Sequence, residues 1–168
     1  VRSGDLDNRK GLLADKEAMQ KGSRMHRKIQ RQMGGDYQAE VPLVWEQEYE
    51  GFILRLEGRA DGIIPAKKEK GKEKEMAVID EIKGVFQDLA YLSEPIEVHL
   101  AQAKCYACMY IFQDLQKPAQ DRPQVAVQMT YCNLETEQIR RFRKEYEIDA
   151  LYQWFQELLA SYYRWADY

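Results

Sequence analysis

The chain has 168 residues, 45% of them apolar, enough for one domain with its own core and cramped for two. Lys+Arg 25 against Asp+Glu 28 gives a net charge of −3. That excludes a strongly basic binder living on many phosphate contacts, but leaves room for a basic groove around an acidic centre. No apolar run approaches the roughly 20 residues of a membrane span, and no signal-peptide core is visible, so a soluble protein without a membrane partner is expected.

From the N-terminus, Ala18, Gly22, Met25, Ile29 and Met33 recur at steps of three and four, which predicts an amphipathic helix over 15–33, ended by Gly34-Gly35. Two extended stretches follow, 40–47 and 52–56, with Glu50-Gly51 as a hairpin turn. A third, 58–64, leads to Pro65. The run KKEKGKEKE (67–75) is a solvated loop or hairpin tip. MAVIDEIKG (76–84) predicts a strand, and its apolar start suggests a central one. A helix over 98–113 and a strand over 124–132 come next, then 136–145, read as that strand's antiparallel partner or else as a helix. A final helix is expected to bury Leu151, Trp154, Phe155, Leu158, Tyr162 and Trp165 on one face. The expected class is α/β, one domain over 1–168 with a mixed central sheet flanked by helices. The start at Val1 and the aromatic last helix suggest a piece of a longer chain.

The chemistry centres on Asp61 and, twenty residues on, Glu81-Ile82-Lys83. Alternate strand residues share a face, so Glu81 and Lys83 point the same way and Asp80 the other, into a structural role. Two carboxylates suit Mg²⁺ or Mn²⁺. Such an ion polarises phosphoryl oxygens and acidifies water, and a lysine beside it neutralises charge building on phosphorus. Taken alone the pattern is also that of a solvated strand end, but three charges directly after Ala77-Val78-Ile79 fit that poorly. His26, on the first helix, is a further nitrogen ligand or an ordinary half-buried helix residue. Gln102 and Tyr106 share a helix face at i and i+4, with His99 one turn earlier. They offer hydrogen bonds to a phosphate, or they form plain helix surface.

Taken in order, His26, Gly58-Arg59-Ala60-Asp61, Glu81-Ile82-Lys83 and Gln102-Ala103-Lys104-Cys105-Tyr106 resemble the RecB-like branch of the PD-(D/E)XK nuclease superfamily, whose core is restriction-endonuclease-like. RSGDLDN (2–8), GSRMHRKIQ (22–30), GRADGI (58–63), IDEIKG (79–84) and HLAQAKCYA (99–107) look like the N-terminal nuclease domain that some Firmicutes fuse to superfamily 2 helicases of the XPD/DinG type. The resemblance implies that His26, Asp61, Glu81 and the Ile82 carbonyl bind the metal. It further implies that Lys83 is catalytic with Asp61 and Glu81, and that Gln102 and Tyr106 position the DNA. A linked helicase and a bacterial cytoplasmic setting are implied as well. Some relatives carry a four-cysteine iron–sulfur cluster. Cys105, Cys108 and Cys132 are too few and wrongly placed, so no cluster and inert, buried thiols are expected.

Arg24, Arg27, Lys28 and Arg31 are expected to hold DNA phosphates, and Arg140, Arg141, Arg143 and Lys144 to form a second patch or a solvated face. Trp45, Trp154 and Trp165 offer base stacking; for Trp154 and Trp165, on the apolar stripe of the last helix, core packing or contact with an absent neighbouring domain is the stronger reading. The expected activity is metal-dependent hydrolysis of DNA phosphodiesters, exonucleolytic on single strands or ends, in repair or recombination. The alternatives are a nucleic-acid-binding module with little catalysis and a small docking domain.

Overall fold

The computed structural model describes residues 9–166; RSGDLDN (2–8) lies outside them. The elements run α1 (Arg9–Gln32), β1 (Gln38–Tyr49), β2 (Phe52–Lys68), β3 (Glu75–Val85), α2 (Glu97–Ile111), β4 (Gln124–Asn133), β5 (Ile139–Tyr146) and α3 (Ile148–Ala166). The five strands form one sheet in the order β1-β2-β3-β4-β5. Pairing is antiparallel except between β3 and β4, which are parallel. A parallel pair needs a crossover, and α2 supplies it. The fold is mixed α/β, a five-stranded mixed sheet flanked by helices, as expected.

Alternation along β3 sorts the molecule into two layers. Ala77 and Ile79 join the main core with Val125, Val127, Met129 and Tyr131 of β4, Ala103 and Ala107 of α2, and Leu151, Phe155 and Leu159 of α3. Ile82 turns to the other face and packs with Met25 and Ile29 of α1 and with Cys132. So α2 and α3 cover one face of the sheet and α1 part of the other.

Three expectations need correction. The stretch 58–64 is no separate strand but the second half of β2, which continues past Pro65. The β2–β3 register shifts between Ile64 and Lys67, because a proline without an N–H is tolerated in an inner strand at a bulge. On α3 the buried stripe is Leu151, Phe155 and Leu159, while Leu158, Tyr162 and Trp165 are 41%, 51% and 74% exposed. Trp45 is a core residue, edge-on to Phe155 at 5.2 Å, and Trp154 is capped by the Lys104 ammonium 3.8 Å from its ring, so neither presents an open stacking face.

No helix among the described residues is long and apolar enough to cross a membrane.

Candidate active site

The site opens where the β2–β3 ladder stops. The two strands pair from Lys68↔Glu75 up to Gly62↔Asp80 and no further. Beyond that point β2 pairs only with β1, and Glu81 to Val85 of β3 only with β4. At the mouth of this notch the Asp61 side chain replaces a ladder bond: its Oδ2 accepts from the Ile82 amide at 2.7 Å. The Asp61 carbonyl accepts from Gln30 Nε2 of α1 at 2.9 Å, and that amide also reaches Glu40 Oε1 at 2.8 Å. Glu40, opposite Asp61, sits at φ 56, a left-handed conformation uncommon for a residue with a Cβ. The local break in β1 and β2 thus frees the Asp61 carboxylate to turn toward β3.

His26 comes in from α1, its Nδ1 3.4 Å from Asp61 Oδ1. The hydrogen bond to Asp61 raises the imidazole's pKa against the opposing effect of burial. Glu81 is 3% exposed. Burial first, and the Asp61 carboxylate second, push it up to about 7. Its Oε1 accepts from Lys83 Nζ at 3.1 Å. Its Oε2 is enclosed and has no partner among the described residues. Lys83 Nζ also donates to Gln102 Oε1 at 2.8 Å, and Gln102 Nε2 donates to Tyr106 Oη at 3.0 Å. The Tyr106 ring lies over Gly58, where a Cβ would stand 2.4 Å from a ring carbon. That contact explains the glycine at the start of G-R-A-D.

The structure therefore brings together His26, Asp61, Glu81, Lys83, Gln102 and Tyr106. Ile82 contributes only backbone, since its side chain belongs to the α1 core. Among the described residues, no three His, Cys, Asp or Glu side chains stand close enough as placed to enclose a cation. Asp61 is turned onto the Ile82 amide and Glu81 onto Lys83. The donor set nevertheless fits a small divalent ion. It joins an imidazole to two carboxylates, and a buried carboxylate oxygen without a partner is costly unless something positive meets it.

Asp80 is fully buried on the opposite face and structural, as expected. It accepts from Tyr37 Oη at 2.7 Å, Gln128 Nε2 at 3.1 Å and Thr130 Oγ1 at 2.6 Å. Sequence reasoning missed Gln30, Tyr37 and Thr130. Only Gln30 left a signal, one turn after His26 on the same helix face.

Arg24 and Arg27 line an open groove along α1 with Lys16, Met19, Gln20 and Ser23. Lys28 is paired with Glu137 at 2.9 Å. The second basic run is not one patch. Arg140 donates to the Leu89 carbonyl and lies over Phe142. Arg143 pairs with Glu69, and Arg141 reaches Met33 from the α1 side. Strand alternation puts these neighbours on opposite faces. Cys108 and Cys132 are buried as expected, whereas Cys105 is only half-buried; burial pushes the Cys105 thiol up to about 11 and raises Cys108 and Cys132 as well.

No family model and no curated protein matches the chain. Among solved structures it is similar to the crystal structure of SSO0001, with a TM-score of 0.52 and 17% identity over 83% of this chain. The match covers 58% of that protein's length. A likeness at this identity establishes the fold, and that fold is compatible with a restriction-endonuclease-like core.

Proposed function

We propose that the chain is a divalent-metal-dependent DNA nuclease of the RecB-like PD-(D/E)XK kind, hydrolysing phosphodiester bonds. One observation carries the reading. His26, Asp61, Glu81 and Lys83 converge from α1, β2 and β3 on a notch in the sheet, where a buried Glu81 oxygen lacks a partner. Lone strand-end charges do not make this arrangement. His26, Asp61 and Glu81, with the Ile82 carbonyl, would hold Mg²⁺ or Mn²⁺. Such an ion supplies a Lewis acid for a phosphoryl oxygen and lowers the pKa of water. Lys83, steadied between Glu81 and Gln102, places its ammonium against the charge that builds on phosphorus. The Gln102–Tyr106 pair holds Lys83 from the α2 side. Arg24 and Arg27 supply cations for phosphates further along the strand. Following the sequence resemblance, the proposal extends to a linked helicase that delivers single strands or ends for repair or recombination in a bacterial cytoplasm.

A second reading is a nucleic-acid-binding module without catalysis. It is favoured by the carboxylates' turned-in placement, which leaves no three-ligand enclosure among the described residues.

End-labelled and circular single-stranded DNA, each with Mn²⁺, Mg²⁺ or EDTA, separate the two. The nuclease predicts metal-dependent cleavage, reduced at least 100-fold in Lys83→Ala with DNA binding retained. Sparing of the circle marks an exonuclease. DNA binding without cleavage in any lane overturns the nuclease reading.

A further inference from the structure

His99 lies outside the chain of contacts described so far, yet the register places it next to them. Lys83 of β3 and Tyr131 of β4 are partners across the parallel ladder, so their side chains share the face under α2. On α2, His99 and Gln102 stand three residues apart on one side of the helix. Gln102 takes Lys83 at 2.8 Å, and His99 Nδ1 meets Tyr131 Oη at 3.1 Å. His99 is thus Gln102's counterpart one strand over.

The hydrogen bonds fix which nitrogen carries the proton. Tyr131 is fully buried, and its oxygen already accepts from the Ile96 amide at 2.9 Å. If Nδ1–H also donated to that oxygen, the phenol proton would be enclosed without an acceptor. The arrangement that satisfies every group has Tyr131 O–H donating to Nδ1 and the ring proton on Nε2. Nε2 has no hydrogen-bond partner among the described residues. It is not enclosed either, since the one buried unpartnered side-chain atom among them is Glu81 Oε2. A ring that accepts at Nδ1 and donates only at Nε2 is neutral, and burial and the Lys83 charge both shift its pKa in that direction. On the far side of Tyr131, its β5 partner Arg140 has its guanidinium on the Leu89 carbonyl.

We infer that His99 is a substrate-contacting residue, a neutral imidazole locked by Tyr131 so that its Nε2–H donates to a phosphate oxygen beside the one being cut. The inference rests on the nuclease reading for its substrate. The cations on either side, Lys83 and Arg140, make the position suited to an anionic strand, and the neutral N–H adds direction without further charge.

Two substitutions separate this role from a structural one. In His99→Asn the amide oxygen takes the place of Nδ1 and accepts from Tyr131, but the outer donor is lost. In His99→Gln the amide nitrogen reaches the place of Nε2 and restores that donor. With labelled single-stranded DNA and Mn²⁺, His99→Asn is expected to keep the wild-type melting temperature and raise KM about fivefold. His99→Gln should return KM to near wild type. Nitrogen-15 NMR of the histidines should show the Nε2–H tautomer. An unchanged KM in His99→Asn, losses that simply follow melting temperature, or an Nδ1–H tautomer would each overturn the inference. If the wild type binds DNA but does not cut it, the nuclease reading falls alone. The same variants in an EDTA binding titration then decide the contact, with weakening in Asn and not in Gln expected, and equal affinities overturning it.

Discussion

Glu81 concentrates the tension of the site in one side chain. Its ionised form is buried beside Asp61, and Lys83 reaches only one of its two oxygens. The shift from an ordinary 4.5 to about 7 has a definite sign for stability. The folded protein binds this proton more tightly than the unfolded chain. The contribution of Glu81 to stability is therefore fullest below pH 4.5, falls as pH rises toward 7, and stays lower above it, by about 3 kcal/mol. In EDTA at pH 8, Glu81→Gln should melt well above wild type, whereas at pH 4 the two should melt together. Adding Mn²⁺ should raise the wild type and leave Glu81→Gln nearly unmoved. Equal melting at pH 8 without metal would mean that the carboxylate is not strained. At this scale much was legible: alternation alone separated Glu81 and Lys83 from Asp80. The freed Glu81 oxygen was not legible, because it depends on where the β2–β3 ladder ends.

Strand β3 works as a two-sided element, carrying the site on one face and an anchor on the other. Asp80 is gripped by Tyr37 from the turn after α1 and by Gln128 and Thr130 from β4. These bonds tie the strand's register to both neighbours and so set where Glu81 and Lys83 emerge. The fit is tight, since a Cβ on Gly62 would fall 1.8 Å from the Tyr37 ring. Asp80→Ala leaves three donors without their acceptor and is expected to cost about 3 kcal/mol, read as a lower urea midpoint at unchanged m-value. A loss under about 0.5 kcal/mol, the range of ordinary surface changes, would show that the network carries little weight. The elements themselves were largely visible in the sequence. The α1 stripe, the Glu50-Gly51 turn and the β3–β5 strands all fall where periodicity placed them. Pro65 misled because a proline reads as a strand end, and only the bulge opposite β3 allows the strand to continue.

Across the whole molecule, charge is distributed unevenly rather than in two matched patches. The β5 run is divided between the two faces of the sheet and tied into local contacts. Arg24 and Arg27, by contrast, line an open groove on the helix that carries His26. Under the proposed nuclease reading, the α1 face is the expected path for a phosphate backbone. The double variant Arg24→Ala/Arg27→Ala should weaken single-stranded DNA binding whatever its sequence. It should also flatten the log–log salt dependence by about 1.4, at roughly 0.7 per phosphate contact. Filter binding between 50 and 200 mM salt, a range over which phosphate contacts are strongly screened, measures this. An unchanged slope would move the path elsewhere.

What the sequence determined by itself is whatever periodicity and residue chemistry encode locally. That covers the α/β class, the central place of MAVIDEIKG, the shared face of Glu81 and Lys83, and the shared face of Gln102 and Tyr106. Tertiary structure decided whatever depends on contacts between distant segments. It brought His26 to Asp61 across thirty-five residues, placed Gln102 on Lys83, and set Tyr131 beneath His99. It also divided the β5 cations and turned Leu158, Tyr162 and Trp165 outward. The reason is geometric: a period says which residues share a face, but only the strand register and the packed neighbours say what that face meets.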